Sequence, residues 1–103
     1  MTRPIKSGDT VLLDAFISGM IKVKILSIEK SDYGYNAKCK VMESAAGYTK
    51  GEVLRSTPRN LIPKRALYYN KAGQLRIAPY QIQFDDGTVV WDRERKLTWI
   101  ETN

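Results

Sequence analysis

Alternation of apolar and polar residues is the main pattern along this chain, and it predicts a protein built from short β-strands. In the second of these strands, Ile21 and Val23 alternate with lysines, the period-two pattern of a half-buried strand. The apolar series then changes phase and continues at Leu26 and Ile28. One extra residue in a strand produces such a change, so the pattern predicts a β-bulge near residues 25–27.

Further strands are predicted wherever a short apolar run lies between turn residues. Pro58 and Pro63 interrupt the middle of the chain, where Leu61-Ile62-Pro63 is predicted to form a brief helical turn. Pro79 lies at a phase change in the longest run, which indicates a bulge or a sheet edge. Asp85-Asp86-Gly87-Thr88 predicts a hairpin with a two-residue turn. The predicted strands are residues 10–16, 20–29, 35–42, 52–56, 66–70, 74–84, 88–91 and 96–101.

The first two-thirds of the chain have the spacing of a known small fold. Lys6-Ser7-Gly8-Asp9-Thr10-Val11 opens the first strand, Gly19 lies in the next turn, and a bent second strand follows. With these features, residues 6–65 resemble the SH3-like small barrels, the group that includes Tudor and KOW modules. The resemblance implies an SH3-like small barrel over residues 6–65. Chain length and the strand pattern predict a single, mostly β domain with little or no α-helix, in which residues 66–103 form a C-terminal β-meander extension packed on the barrel.

The ligand sites of these modules are not carried over with the fold. A KOW segment has a further glycine soon after the position of Gly19, where this chain continues with Met20-Ile21-Lys22-Val23. Tudor domains often have an Asp-Tyr-Gly after the third strand that helps to form a cage for methylated ligands. Here Asp32-Tyr33-Gly34 falls between the second and third predicted strands, where we interpret it as a turn.

The same alternation assigns the side chains of the strands to two faces. Lys22, Lys24, Lys38 and Lys40 are predicted to be exposed, because they alternate with apolar neighbours. The predicted core consists of Val11, Leu13, Ile21, Val23, Leu26, Ile28, Cys39, Val41, Val53 and Leu61.

Composition limits the compartment and the chemistry. The 103 residues are 43% hydrophobic and 27% charged, values typical of a globular domain. No run of about 18 apolar residues is present to span a bilayer, and the first residues lack the apolar core of a signal peptide. Cys39 is the only cysteine, which excludes an internal disulfide and fits a reducing compartment. We therefore expect a cytoplasmic protein with no membrane partner, in which Cys39 is a buried hydrophobe rather than a reactive thiol.

Catalysis is not expected from the residue inventory. The chain has no histidine, so it lacks the commonest general base and the commonest zinc ligand. Asp85 and Asp86 lie in a predicted turn, and Asp92 and Glu94 alternate with arginines in a solvated charge cluster. No glycine-rich phosphate loop and no metal-ligand spacing is present. The prediction is a protein that is not an enzyme and has no metal or cofactor.

The positive charge is concentrated in the first two-thirds of the chain. Residues 1–65 hold twelve basic and six acidic residues, whereas residues 66–103 hold five of each, so the whole net charge of +6 lies in the first part. Such an asymmetry indicates an anionic partner, although lysines also keep an exposed sheet soluble. The first hypothesis is a module that contacts a nucleic-acid backbone. Its candidate residues are Lys22, Lys24, Lys38, Lys40, Arg55, Arg59, Lys64, Arg65, Tyr68 and Tyr69.

A second hypothesis belongs to a different functional class. Tyr80, Trp91 and Trp99 lie in the neutral C-terminal part, and aromatic side chains are enriched in protein interfaces. The alternative is a protein-interaction or assembly subunit, either an accessory component of a larger particle or a small inhibitor of an acidic protein surface. The first hypothesis predicts a steep salt dependence of binding, and the second predicts dependence on these aromatic residues.

Overall fold

The structure, a computed structural model, describes residues 3–15, 19–31, 34–45, 47–92 and 95–96. Short 3-10 turns at Pro58–Asn60 and Lys64–Ala66 are the helical segments in these ranges, so the prediction of a mostly β fold is confirmed. The strands are β1 (Thr10–Asp14), β2 (Met20–Ser31), β3 (Gly34–Val41), β4 (Val53–Ser56), β5 (Leu61–Ile62), β6 (Leu67–Tyr69), β7 (Leu75–Ile77), β8 (Tyr80–Gln83), β9 (Val89–Asp92) and β10 (Arg95–Lys96).

The first five strands form one antiparallel sheet in the order β4-β3-β2-β1-β5. The long strand β2 pairs with β1 on one side and β3 on the other. Its register against β3 shifts between Ile25, opposite Cys39, and Ser27, opposite Lys38, so the predicted bulge is confirmed. No sheet in the described part of the chain closes into a barrel, because β4 and β5 remain at opposite edges of this sheet.

Two residues of the predicted core are exposed. Leu26 is 41% exposed, because it is the extra residue of the bulge and has no partner on β3. Val53 is 54% exposed, because it pairs with the outward-facing Lys40 and directly opposed residues in antiparallel strands share a face. The other eight predicted core residues are buried, and the four lysines are exposed as predicted.

Leu61 and Ile62 form a strand, so the prediction of a helical turn at this position was wrong. They pair with Leu13 and Leu12 of β1 as β5, and both side chains are fully buried. Pro58 begins the 3-10 turn before β5, and Pro63 precedes the 3-10 turn after it. The two prolines therefore confine the strand to two residues, since proline fixes φ and has no N–H to donate.

The C-terminal part is two separate sheets rather than one meander. β10, β7 and β6 form a three-stranded sheet, and β8 pairs with β9 in a hairpin. The long strand predicted over residues 74–84 divides at Ala78-Pro79, where the Ala78 N–H bonds the Ala66 carbonyl at 2.8 Å. Proline cannot donate to a ladder, so the chain leaves one sheet here and begins the other.

The hairpin turn between β8 and β9 is one residue longer than predicted. Asp85, Asp86 and Gly87 lie between Phe84 and Thr88, whose N–H and carbonyl are joined at 2.8 Å. Gly87 has φ of 93°, a conformation that glycine adopts without steric cost and that suits a three-residue hairpin loop. The Asp86 carboxylate accepts the Thr88 N–H at 2.8 Å.

The N-terminal segment connects the hairpin to the five-stranded sheet. Ile5 donates its N–H to Gln81 at 2.9 Å and accepts from Gln83 at 2.8 Å, beside β8. Gly8 then donates to the carbonyl of Ile25 at 2.8 Å. One hydrophobic cluster accordingly includes buried residues from both the first five strands and the C-terminal strands. Among the described residues, no helix is long and apolar enough to cross a membrane.

Candidate functional site

The candidate site is the outer face of the five-stranded sheet. On β2, Ile21 and Val23 are buried. Lys22 and Lys24 alternate with them and are exposed, so the two lysines point away from the core. β3 follows the same alternation around Cys39. Side chains on a strand alternate between faces, and this places the lysines of both strands on one surface.

Strand register brings cations directly opposite one another on this face. Lys24 lies opposite Lys40, and Lys38 lies opposite Arg55 of β4. Neighbouring strands are roughly 4.8 Å apart and residues i and i+2 roughly 6.8 Å apart, so the charges step diagonally across three strands over roughly 17 Å. We call this set the cationic stripe; its members, in spatial order, are Lys22, Lys24, Lys40, Lys38 and Arg55.

Two acidic residues lie near the stripe: Glu43, which pairs with Lys22, and Glu29, which lies on the same face of β2 opposite Asn36. Lys22 Nζ lies 3.5 Å from Glu43 Oε1, and both side chains are at least half exposed. Among the described residues, it is the only ion pair that includes a stripe residue. A solvent-exposed ion pair of this kind contributes little to stability. Like charges opposite one another also weaken strand pairing. The sheet therefore carries a repulsion that a bound polyanion would relieve.

Apolar side chains lie beside the stripe, and the sequence analysis did not assign them to this surface. Leu12 of β1 is opposite Lys22, and Val53 of β4 is opposite Lys40. Met42 follows β3 and donates its N–H to the Lys22 carbonyl at 2.9 Å. Alternation already places Met42 on the same face as Lys38 and Lys40, whereas only the pairing register brings Leu12 and Val53 beside the lysines.

Of the other predicted basic residues, Lys64 shares a groove with a member of the stripe. Lys64 and Lys22 both line a groove of about 380 Å³ that also includes Leu12 and Met20. Arg59 lies in the 3-10 turn between β4 and β5. Arg65 Nη2 donates to the carbonyl of Arg3 at 2.5 Å, so its guanidinium is engaged with the N-terminal segment rather than with the stripe.

The candidate tyrosines lie on a different sheet from the stripe. Tyr68 and Tyr69 belong to β6, opposite Arg76 and Leu75 of β7 in the three-stranded sheet. Their side chains are 36% and 69% exposed. The structure thus divides the set predicted for nucleic-acid contact between two sheets.

Of the residues predicted for the alternative protein interface, Tyr80 is buried and Trp91 is exposed. Tyr80 is only 3% exposed and donates its hydroxyl to the Leu61 carbonyl at 2.7 Å, so its side chain is part of the core and is not accessible to a partner. Trp91 is 63% exposed on β9, opposite Gln81, and Val89 on the same strand is 44% exposed. Trp99 lies outside the described residues, as do Asp32-Tyr33 and Arg93-Glu94.

Cys39 is fully buried beneath the stripe, as predicted for a hydrophobic core residue. Burial raises the pKa of its thiol to about 11 from 9.0, because the thiolate is poorly solvated in the core. The thiolate is the reactive form, and the raised pKa keeps it scarce at neutral pH. This placement makes Cys39 a packing residue.

Cys39 is expected to react with Ellman's reagent at least about 100-fold more slowly in the folded protein than in the urea-unfolded chain at pH 8. The raised pKa of the thiol lowers the thiolate fraction, and burial blocks access. The fold also favours the neutral thiol over the thiolate. Because the pKa is raised in the folded state, stability does not depend on this group below about pH 9, and it falls as the pH rises toward 11. The release of thionitrobenzoate measures the reaction, and equal rates in the two states would contradict a buried thiol.

Neither a metal centre nor a known relative assigns a function to this surface. The described residues include no group of three or more His, Cys, Asp or Glu placed to hold a metal ion. No family model, curated protein or solved structure matches the chain.

Proposed function

We propose that this protein is a non-enzymatic binding module that contacts the backbone of a nucleic acid through the outer face of its five-stranded sheet. The observation that carries the proposal is the cationic stripe. It consists of five exposed cations on three adjacent strands. One of them, Lys22, forms a weak ion pair with Glu43. A cytoplasmic location is part of this proposal.

A nucleic-acid backbone fits the stripe because both carry charges at regular intervals. The backbone has a row of phosphates, and the stripe has a row of cations. Each cation that neutralises a phosphate releases condensed counterions, and this release drives binding without reading the base sequence. The flat face places its cations side by side, so neighbouring cations can follow one backbone. We therefore propose low sequence specificity.

The bent second strand supports the SH3-like resemblance that belongs to the same proposal. Its register shifts at the bulge between Ile25 and Ser27, as the resemblance leads us to expect. Small β-barrels such as the OB-fold bind oligonucleotides on the faces of their strands. The five-stranded sheet offers a strand face of this kind, although its edge strands β4 and β5 do not meet to close a barrel.

Binding to a fluorescein-labelled oligonucleotide is expected to weaken steeply with salt. Five phosphate contacts predict a slope of log K against log[salt] between about −3.5 and −4.5. Fluorescence anisotropy between about 50 and 300 mM KCl measures this slope. Absence of binding at 50 mM KCl would overturn the proposed function, and a slope shallower than about −1 would exclude a backbone ligand.

One observation favours a second candidate function, in protein assembly. Trp91 and Val89 expose apolar surface side by side on β9, and exposed tryptophan is a frequent anchor of protein interfaces. Binding of a partner at this site would be lost in the Trp91→Ala variant, and its affinity would not depend on salt. The nucleic-acid proposal requires the opposite behaviour, because Trp91 lies on the β8–β9 hairpin and not on the stripe.

A further inference from the structure

We infer that the ligand of the cationic stripe is the backbone of a duplex rather than a single strand, an inference that rests on the proposed function. The first reason is the chemistry of the side chains that surround the stripe. The described neighbours on the outer face are aliphatic, hydroxyl, thioether, amide or carboxylate side chains, and none is aromatic. They are Thr10, Leu12, Ser27, Glu29, Asn36, Met42, Glu43 and Val53.

Single-strand binding depends on aromatic platforms that this face lacks. Proteins that bind unpaired nucleic acid stack successive bases on aromatic side chains, which contributes about 1–3 kcal/mol per base. The exposed tyrosines, Tyr68 and Tyr69, lie on β6 in the separate three-stranded sheet. A single strand on the stripe would therefore have its phosphates neutralised while its bases remain without a stacking partner.

A duplex offers the stripe more charge in the same length. It carries one phosphate charge per roughly 1.7 Å of axis, against roughly 3.4 Å for one strand. The ends of the stripe, Lys22 and Arg55, are roughly 17 Å apart by strand geometry. That span exceeds the width of the minor groove, about 6 Å. Cations at the two ends can therefore reach phosphates of opposite strands across the groove.

Counterion release also sets the size of the preference for a duplex. Five contacts predict a slope of about −4.5 on a duplex and about −3.5 on a single strand. If the two lines meet near 1 M salt, a slope difference of about one corresponds to about tenfold tighter duplex binding at 100 mM. The preference is therefore expected to increase as salt is lowered.

The test compares probes of one sequence by fluorescence anisotropy at several KCl concentrations. The probes are a labelled 20-base-pair DNA duplex, its labelled strand alone, and the corresponding RNA duplex, which distinguishes the two sources of a duplex backbone. We expect at least one duplex to bind about tenfold more tightly than the single strand at 100 mM KCl, with a steeper slope. The Lys6→Glu/Lys71→Glu variant, changed at exposed loop residues outside the sheet, should keep the preference.

The outcomes separate this inference from the proposed function. A single strand that binds as tightly as both duplexes, or more tightly, overturns the duplex inference and leaves backbone binding in place. If no probe binds at 50 mM KCl, both are overturned. Tighter binding of the DNA duplex or the RNA duplex supports the inference and names the source.

Discussion

Replacing Phe84 with alanine is expected to lower the free energy of unfolding by about 3–5 kcal/mol. Phe84 is 2% exposed and is the largest of the fully buried side chains. It stands at the end of the β8–β9 hairpin, next to Asp85, whose N–H bonds the Ile28 carbonyl at 2.9 Å. The cavity would therefore open where the hairpin packs against β2. Since small domains have about 5–15 kcal/mol of stability in total, the loss is a large fraction of it.

The control for this substitution lies on the same hairpin. Val89 is 44% exposed on β9, so Val89→Ala should cost less than about 1 kcal/mol. Urea unfolding followed by circular dichroism measures both variants. A loss below about 1 kcal/mol for Phe84→Ala would show that the hairpin is not packed on the sheet through this ring.

Reversing two charges of the stripe on one strand is expected to abolish most nucleic-acid binding while stabilising the fold. In Lys38→Glu/Lys40→Glu, Arg55 and Lys24 would each face a glutamate instead of a lysine. Two repulsive cross-strand pairs become attractive, which should raise stability by about 0.5–1.5 kcal/mol. Loss of two phosphate contacts predicts roughly 60-fold weaker binding at 100 mM salt and a slope smaller by about two. Anisotropy and thermal unfolding of the same preparation measure both effects.

A matched control separates the stripe from net charge. Lys6→Glu/Lys71→Glu changes the net charge by the same amount at two exposed loop residues outside the sheet. We expect it to weaken binding only a few-fold. An equal loss of affinity in the two double variants would mean that overall charge, and not the stripe, attracts the ligand. A stripe variant that is more stable and no longer binds excludes misfolding as the cause.

Much of the charged face was predictable because a strand has a period of two. Lys22 and Lys24 had to lie on one side of β2 once their apolar neighbours were buried, and the same argument applied to Lys38 and Lys40 of β3. The bulge was also predictable, since a change in apolar phase has few other causes. The change of phase does not show which residue of the bulge is the extra one. Leu26 was therefore assigned to the core although it is exposed.

Register between strands was not predictable from local pattern. Val53 and Leu54 are both apolar, and only the pairing of Val53 with Lys40 decides that Arg55 joins the charged face while Leu54 packs against the core. Burial of Tyr80 against the carbonyl of Leu61 similarly needs the hairpin to be docked. Such contacts join residues distant in sequence, so no local periodicity encodes them.

The sequence by itself determined the first four strands, the bulge, the buried thiol and the excess of positive charge, because each follows from local composition and a period of two residues. Only the tertiary structure decided which cations lie together. It aligned those of β2, β3 and β4 into one stripe, turned Arg65 toward the N-terminal segment and left Tyr68 and Tyr69 on another sheet. The physical reason is that strand order and register are selected by burial of the whole core, which sums contacts from every segment at once.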